Sequence, residues 1–165
     1  MKTMKKILAF ALAGVMALVL LTGCGTGSSA SHKSIAKAME DHDRGVENNL
    51  KITYTSSAAL DAKLQELAAD PIFEAVVKAV YNGQSPTIPA GVLPTNKVVY
   101  LYCGKYDKDA GKQAINLNAW GHYTHIGSNS TLAAKRQIGL ITTSCTDTNG
   151  KEVKVRFAVV VSPKP

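Results

Sequence analysis

The chain has 165 residues, 45% of them hydrophobic, and a formal net charge of +7 at pH 7. This composition is typical of a globular protein that buries a core. Three of the basic residues stand at the amino terminus, so the charge falls to +4 without them. Because no Arg-rich or aromatic-interleaved basic run occurs, the sequence argues against a nucleic-acid partner.

The first 24 residues combine a basic start, an apolar run and a cysteine. Three lysines precede a continuous apolar run from Ile7 to Leu21, and two small residues then lead to Cys24. The run is shorter than the roughly 20 residues needed to span a bilayer. The arrangement resembles the signal of a bacterial lipoprotein with its lipobox. The resemblance implies removal of residues 1–23, a diacylglycerol on the Cys24 thiol, and anchoring to the outer face of the cytoplasmic membrane. Residues 24–31 then predict a lipidated, flexible tether, and residues 32–165 predict one globular domain.

Three helices and one strand are predicted in the first half of this domain. The predicted helix caps, in chain order, are Ser31 or Ser34, then Ser57, then Asp70 with Pro71. Gly45 is predicted to end the first helix. The alternation of apolar and polar residues from Leu50 to Tyr54 predicts a short, half-buried strand.

The second half predicts three strands, of which the last two form a hairpin. Val98 to Cys103 is apolar on both alternating faces, which is typical of a strand buried on both sides. Ile138 to Cys145 predicts the next strand, and Asn149-Gly150 predicts a two-residue turn. The last strand, Val153 to Val161, has two basic residues on the face opposite its valines.

Candidate site residues gather in the segment Trp120–Ile126, which follows a helix capped by Asp107 or Asp109 and reads as a short helix itself. His122 and His125 are three residues apart, so on a helix they share a face and can ligate a metal or relay a proton. Zinc would need a third and a fourth ligand, and the neighbouring sequence supplies none. The alternative is that one His makes a buried hydrogen bond while the other is solvated. The candidate cavity residues are Trp120, His122, Tyr123 and His125.

Other chemistry-bearing residues each allow two interpretations. The carboxylates between Glu40 and Glu47 can reach a distant His, but the basic residues among them favour a solvated helix end. Tyr100 and Tyr102 can line a groove for a ligand or belong to the core. Cys103 and Cys145 end two strands, and in an exported protein they can form a disulfide or remain two buried thiols.

The order of elements in the second half resembles a known family. An Ala-rich helix ending in Trp120 is followed by Gly121-His122-Tyr123, a Gly-containing strand, a hairpin and a last strand that bears Phe157. This order, over about residues 97–162, resembles the C-terminal half of the CAP superfamily, which includes cysteine-rich secretory proteins and plant pathogenesis-related proteins. The resemblance implies an exported α+β domain, a three-layer α-β-α sandwich with a small antiparallel sheet, and it puts His122 at the central cavity of that family.

Three functions are compatible with these features. The leading hypothesis is a membrane-anchored lipoprotein whose CAP-like domain binds a lipid, a glycan or another envelope component beside His122, without a cofactor. The alternative is a metal-dependent or His-assisted hydrolase in which a carboxylate of the N-terminal helix completes a site with His122 and His125. A structural lipoprotein without any ligand is the third. No Gly-x-Ser-x-Gly elbow and no phosphate-binding Gly-rich loop occurs in the sequence.

Overall fold

The protein is described here by a computed structural model that covers residues 30–92, 96–119, 123–126 and 131–164. The secondary structure elements, in chain order, are α1 (His32–Glu47), β1 (Thr53–Ser56), α2 (Ala58–Ala68), α3 (Phe73–Tyr81), β2 (Lys97–Lys105), α4 (Ala110–Asn118), β3 (Tyr123–Ile126), β4 (Lys135–Thr146) and β5 (Glu152–Pro163). Helices and strands therefore both contribute substantially, as the α+β prediction requires. In the ranges given, no helix combines the length and the apolar character needed to cross a bilayer.

All five of these strands belong to one sheet, in the order β1-β4-β5-β2-β3. The pairs β4–β5, β5–β2 and β2–β3 are antiparallel, whereas β1 runs parallel to β4, with Thr53 opposite Lys135. The prediction of an antiparallel sheet is therefore wrong for β1. A parallel neighbour needs a long crossover, and here the chain passes through α2, α3, β2, α4 and β3 before it returns as β4.

The β4–β5 hairpin is confirmed, but its turn differs from the prediction. Thr146 pairs with Glu152, so residues 147–151 form the loop instead of Asn149-Gly150 alone. The Asp147 carboxylate explains the longer loop, because its Oδ1 accepts hydrogen bonds from the backbone N–H groups of Asn149 and Lys151 at 2.8 and 2.9 Å. These side-chain hydrogen bonds stabilise a five-residue loop, whereas a two-residue turn would have no N–H groups in these positions to satisfy.

Three of the predicted helix caps are confirmed, whereas the cap predicted at Asp70 is wrong, because α3 begins at Phe73, after Ile72. The side chains of Ser31, Ser57 and Asp109 accept hydrogen bonds from backbone N–H groups in the first turns of α1, α2 and α4. The prediction that Gly45 ends α1 is wrong. The helix continues to Glu47, and Asn48 ends it with a left-handed backbone, φ 51°.

Two apolar clusters lie on opposite faces of the sheet. The helices α2 and α3 cover one face, which bears alternate residues of β2, β4 and β5. The helices α1 and α4 cover the other face. Strand β5 is consequently buried on both sides, and its predicted solvent face is wrong: Arg156 is only 2% exposed. The largest fully buried side chains of the two clusters are Phe157, Leu64, Leu67, Leu101 and Val76 on the first face, and Ile35, Met39, Ile52, Leu117, Ile138 and Leu140 on the second.

Gly104 allows α4 to approach β2 closely. A Cβ atom at this position would lie 2.3 Å from the backbone oxygen of Asn116 and 2.7 Å from the backbone nitrogen of Leu117. Backbone atoms of a helix cannot move aside as a flexible side chain can, so a methyl group here must displace α4. The glycine therefore sets the distance between the helix and the sheet.

We expect Gly104→Ala to lower the free energy of unfolding by about 1–3 kcal/mol, because overpacking in a close-packed contact costs that much. Urea denaturation monitored by circular dichroism measures the change. Gly45→Ala is the matched control, since a Cβ there meets nothing within 4 Å and the position lies inside α1. The control should raise stability by up to ~1 kcal/mol. Equal effects of the two substitutions would contradict the close approach at Gly104.

Candidate functional site

The segment predicted to carry the site is partly a strand. Residues 120–122, which include Trp120 and His122, lie outside the described residues, and residues 123–126 form β3 at the end of the sheet. The prediction of a short helix is wrong for these four residues. The helical course ends before them, because Ala119 has an extended backbone with φ −66° and ψ 146°. The helical spacing that was expected to bring His122 and His125 to one face therefore does not hold at His125.

The register of β3 defines the neighbours of the candidate positions. His125 is paired with Tyr100, and Tyr123 is paired with Tyr102. The rings of Tyr100 and Tyr102 have centroids 6.3 Å apart. Tyr102 is buried in the α1/α4 cluster, whereas Tyr100 is half-buried beside it. The core interpretation is therefore right for Tyr102, and Tyr100 is the half-buried one of the two tyrosines that pair with the candidate segment.

A buried ionic network lies on the same face of the sheet, between α1 and β4. The side chain of Arg136 is only 2% exposed, and its Nη1 lies 2.7 Å from Asp43 Oδ2. Its two terminal nitrogens also donate to Glu47, with Nη1–Oε1 at 2.8 Å and Nη2–Oε2 at 2.9 Å. Its Nε donates to the carbonyl of Ala133 at 2.9 Å. The Tyr54 hydroxyl donates to Asp43 and thereby brings β1 into the network.

A second carboxylate of α1 supports β1 from the same side. Glu40 Oε2 accepts the backbone N–H of Tyr54 at 3.0 Å, and its Oε1 receives Lys37 Nζ at 2.8 Å and Arg44 Nη2 at 3.0 Å. Arg44 also donates from Nε to the carbonyl of Ile52 at 2.7 Å. Glu40 and Asp43 are buried, so the prediction of a solvated helix end is wrong for both. The cluster joins α1 to the sheet.

Burial and charged neighbours determine the protonation of three groups in and beside this network. Burial raises the pKa of Tyr54 well above its ordinary value, so the hydroxyl stays protonated and donates to Asp43. Burial opposes the charge on Arg136, but hydrogen bonds with Glu47 and Tyr54 outweigh it and raise the pKa of the guanidinium. Burial, and next the Asp43 carboxylate, raise the pKa of Tyr102. The two tyrosine hydroxyls and the guanidinium therefore keep their protons at neutral pH.

The Glu40 carboxylate predicts a stability that depends on pH. The hydrogen bond from Lys37 and that from the Tyr54 backbone lower the pKa of Glu40 below its ordinary 4.5. A lowered pKa stabilises the folded state above pH 4.5, and this contribution is lost as the pH falls through the folded value. We expect Glu40→Gln to cost about 1.5–3 kcal/mol at pH 7, the range for hydrogen bonds to charged groups, and less at pH 3.

Urea denaturation of both proteins at pH 7 and pH 3 measures this difference. Glu66→Gln is the control, because Glu66 makes one exposed ion pair, with Lys63 at 3.0 Å. Exposed pairs of this kind contribute about 0–1 kcal/mol. If Glu40→Gln and Glu66→Gln have the same small effect at pH 7, then Glu40 does not support β1.

Cys103 and Cys145 are free and buried, and the disulfide considered for them is not formed in the structure. They lie on β2 and β4, and β5 runs between these two strands. Two steps of about 4.8 Å exceed the roughly 7 Å beyond which Cα atoms cannot be bridged. Burial raises the pKa of Cys145 to about 11 and raises that of Cys103 further. Neither thiol is therefore an activated nucleophile.

Two of the four His residues are described in contact with a carboxylate. His32 Nδ1 lies 3.0 Å from Asp61 Oδ2, and His42 Nδ1 lies 3.1 Å from Asp43 Oδ1. The other oxygen of Asp61 accepts the backbone N–H of Leu140 at 2.8 Å, on the edge of β4 beyond the end of β1. Within the described residues, no group of three His, Cys, Asp or Glu side chains is arranged to hold a metal ion.

Comparisons of the chain with protein-family models, with curated proteins and with solved structures found no match. The candidate residues are therefore judged from their own geometry.

Two open clefts of about 300 Å³ lie on the described surface, and sequence reasoning missed both. The first cleft lies where β2 ends at Lys105 while β5 continues beside the hairpin loop. It is lined by Tyr81, Lys105, Tyr106, Asp147, Lys151, Glu152, Val153 and Lys154. The second cleft lies at the start of α2 and is lined by Ser57, Ala59, Leu60, Lys63, Gly91, Val92, Lys97, Gln137 and Val161. The residues of the first cleft come from three distant parts of the chain, so no local sequence motif could predict the cleft.

Proposed function

We propose that the protein is a lipoprotein anchored to the outer face of the bacterial cytoplasmic membrane, and that its domain is a binding module for an envelope component. The observation that carries this proposal is the amino-terminal pattern of three lysines, the apolar run Ile7 to Leu21, and Cys24 after two small residues. A diacylglycerol supplies two acyl chains, enough for stable anchoring where one chain would be marginal.

We further propose that the domain is a CAP-like, three-layer α-β-α sandwich. The support is that α2 and α3 cover one face of the sheet while α1 and α4 cover the other. The parallel strand β1 is an addition at one edge of the antiparallel part, and it leaves β4, β5, β2 and β3 as a continuous antiparallel sheet.

The proposed binding position is the candidate segment Trp120–Ile126, with Trp120, His122, Tyr123 and His125 as its residues and with β3 as its described part. The support is that β3 ends the strand order and that His125 pairs with the half-buried Tyr100. Aromatic and imidazole side chains suit a lipid or a glycan, which offer apolar faces together with hydroxyl groups. No described contact favours the hydrolase alternative, which native mass spectrometry can distinguish by a bound metal ion.

The experiment compares the wild type with Cys24→Ser and with His122→Ala in a bacterial host. If a lipid on Cys24 anchors the protein, we expect the wild type to sediment with membranes and to incorporate labelled fatty acid. Cys24→Ser should incorporate none. Native mass spectrometry of the detergent-released wild type then tests the site. A bound lipid or glycan that His122→Ala loses supports the binding module. A bound zinc ion that His122→Ala loses would instead support the hydrolase.

A further inference from the structure

The chain enters the domain at one end of the sheet and is held there. The backbone N–H of Ala30 donates to the carbonyl of Lys108 at 3.0 Å, and Arg156 Nη1 donates to the carbonyl of Ala30 at 3.3 Å. Ala30 also packs against the α1/α4 cluster. The last residues before α1 are therefore fixed against the loop between β2 and α4 and against β5.

This entry point limits how the domain can face the bilayer. Even a fully extended chain spans at most about 22 Å from Cys24 to Ala30. If Cys24 carries the lipid, as proposed above, Ala30 must stay within that distance of the membrane surface. The opposite end of the sheet is farther away, because β4 has 12 residues and so extends about 40 Å.

The entry end carries a group of exposed lysines, which we call the entry face. It consists of Lys105 at the end of β2, Lys108 before α4, Lys112 in the first turn of α4, Lys151 in the hairpin loop and Lys154 at the start of β5. Its parts are joined to one another, since the Tyr106 backbone N–H donates to the carbonyl of Lys154 at 2.9 Å. The Lys154 ammonium also lies 4.1 Å from the centre of the Tyr106 ring.

Three of the carboxylates among these lysines are engaged by the backbone. Asp107 Oδ1 accepts the N–H of Asp109, Asp109 Oδ1 accepts the N–H of Lys112, and Asp147 accepts two N–H groups of the hairpin loop. Glu152 is the exposed acid at the rim of the cleft. The lysine ammonium groups extend beyond the carboxylates held at the backbone, because their side chains are longer.

The cleft of about 300 Å³ beside Tyr81 and Tyr106 opens on the entry face. Lys105 lines it from the end of β2, and Lys151 and Lys154 line it from the hairpin loop and the start of β5. Lysine side chains around a concave site suit phosphate oxygens, and tyrosine side chains suit the depth at which lipid headgroups lie.

We propose that the entry face docks on an anionic membrane surface, and that lipid phosphates occupy the cleft formed by Lys105, Lys151 and Lys154. The lipid anchor then holds the domain in one orientation, with the far end of the sheet turned toward the envelope. This inference rests on the proposed attachment at Cys24 for its orientation, but the affinity of the face for anionic lipid does not depend on the anchor.

The test uses the mature chain in two forms, released with its lipid from membranes and produced from Cys24→Ser without a lipid. Vesicles of phosphatidylglycerol and phosphatidylcholine, and vesicles of phosphatidylcholine alone, are the probes. The charge variant is Lys108→Glu, Lys112→Glu and Lys151→Glu together. The matched control is Lys51→Glu, Lys135→Glu and Lys164→Glu together, since these exposed lysines flank β1, β4 and β5 at the far end.

We expect the non-lipidated wild type to float with the anionic vesicles and not with the neutral ones. The charge variant should bind at least about 100-fold more weakly, because each lysine near such a surface contributes about fivefold. The control should keep wild-type affinity. Binding should also weaken as salt rises from 0.1 to 1 M, which shortens the Debye length from about 10 to 3 Å.

A pulse of lysine acetylation on the lipidated form tests the orientation. Entry-face lysines should react several-fold more slowly in anionic vesicles than in neutral ones, while Lys51, Lys135 and Lys164 should not change.

Equal losses of binding in the two triple variants, or equal acetylation in both kinds of vesicle, would overturn the docking face. Binding that inorganic phosphate abolishes at millimolar concentration would overturn the membrane as the partner. The Cys24 peptide mass reports separately on attachment, so a failure of anchoring is not mistaken for a failure of docking.

Discussion

Arg136→Met is expected to lower the free energy of unfolding by about 3–5 kcal/mol, the range for breaking a buried ion pair by removing one partner. The substitution keeps much of the side-chain volume but leaves Asp43, which is 6% exposed, without its cationic partner. It also removes the hydrogen bonds to Glu47 and leaves the carbonyl of Ala133 without the Nε–H that donates to it. Chemical denaturation at pH 7 measures the loss, and a lower melting temperature should accompany it.

Lys135→Met is the control for this substitution, because Lys135 is the exposed neighbour of Arg136 on β4. Its effect should lie within about 0.5 kcal/mol. A double variant, Arg136→Met with Asp43→Leu, should recover part of the loss, since it removes the buried carboxylate together with its partner. If Arg136→Met is as mild as Lys135→Met, the network does not hold α1 to the sheet.

Phe157→Ala is expected to cost about 3–5 kcal/mol, the usual range for truncating a buried Phe. Phe157 is fully buried on the central strand β5, and its ring packs edge-on against Phe73 with centroids 5.9 Å apart. Its register partners are Cys103 and Ile141 on the two neighbouring strands. The cavity should also loosen the surroundings of Cys103, so that a thiol reagent labels it faster than in the wild type.

Val46→Ala is the matched control for Phe157→Ala, because Val46 is 68% exposed. It should change stability by no more than about 0.5 kcal/mol and leave thiol labelling unchanged. Denaturation and the rate of thiol labelling are both measured. Wild-type stability of Phe157→Ala would show that β5 is not the centre of the core.

Local signals allowed most elements to be predicted from the sequence. Ser31, Ser57 and Asp109 act on backbone N–H groups three residues away, so their role as caps is visible within a few residues. The hairpin was predictable for the same reason, since two β-rich runs flank a short polar segment. The order of the strands in the sheet could not be predicted. β1 pairs with β4, which lies far along the chain, and no local pattern encodes that pairing.

The ionic network shows why a site can escape sequence reasoning. Arg136 meets Asp43 and Glu47 from a distance of 93 and 89 residues along the chain. A signal did exist on α1, because Glu40, Asp43 and Glu47 recur at helical spacing and extend the buried row of Ile35 and Met39. Carboxylates that continue an apolar row are placed to be buried, and a buried carboxylate needs a cation.

The candidate segment was misjudged for a related reason. Trp120–Ile126 follows a helix, and its His spacing suggested a helical face, but pairing of β3 with Tyr100 and Tyr102 depends on β2. The disulfide considered for Cys103 and Cys145 likewise assumed neighbouring strands, and β5 lies between them. In both cases the tertiary arrangement overrides a spacing that is plausible in isolation.

The most direct measurement of the central claim is the intact mass of the protein extracted from bacterial membranes with detergent. The account predicts a chain that begins at Cys24, lacks residues 1–23 and carries the added mass of a diacylglycerol on that cysteine. A chain that still begins at Met1, or a mature chain whose Cys24 has no lipid, would contradict the membrane-anchored function.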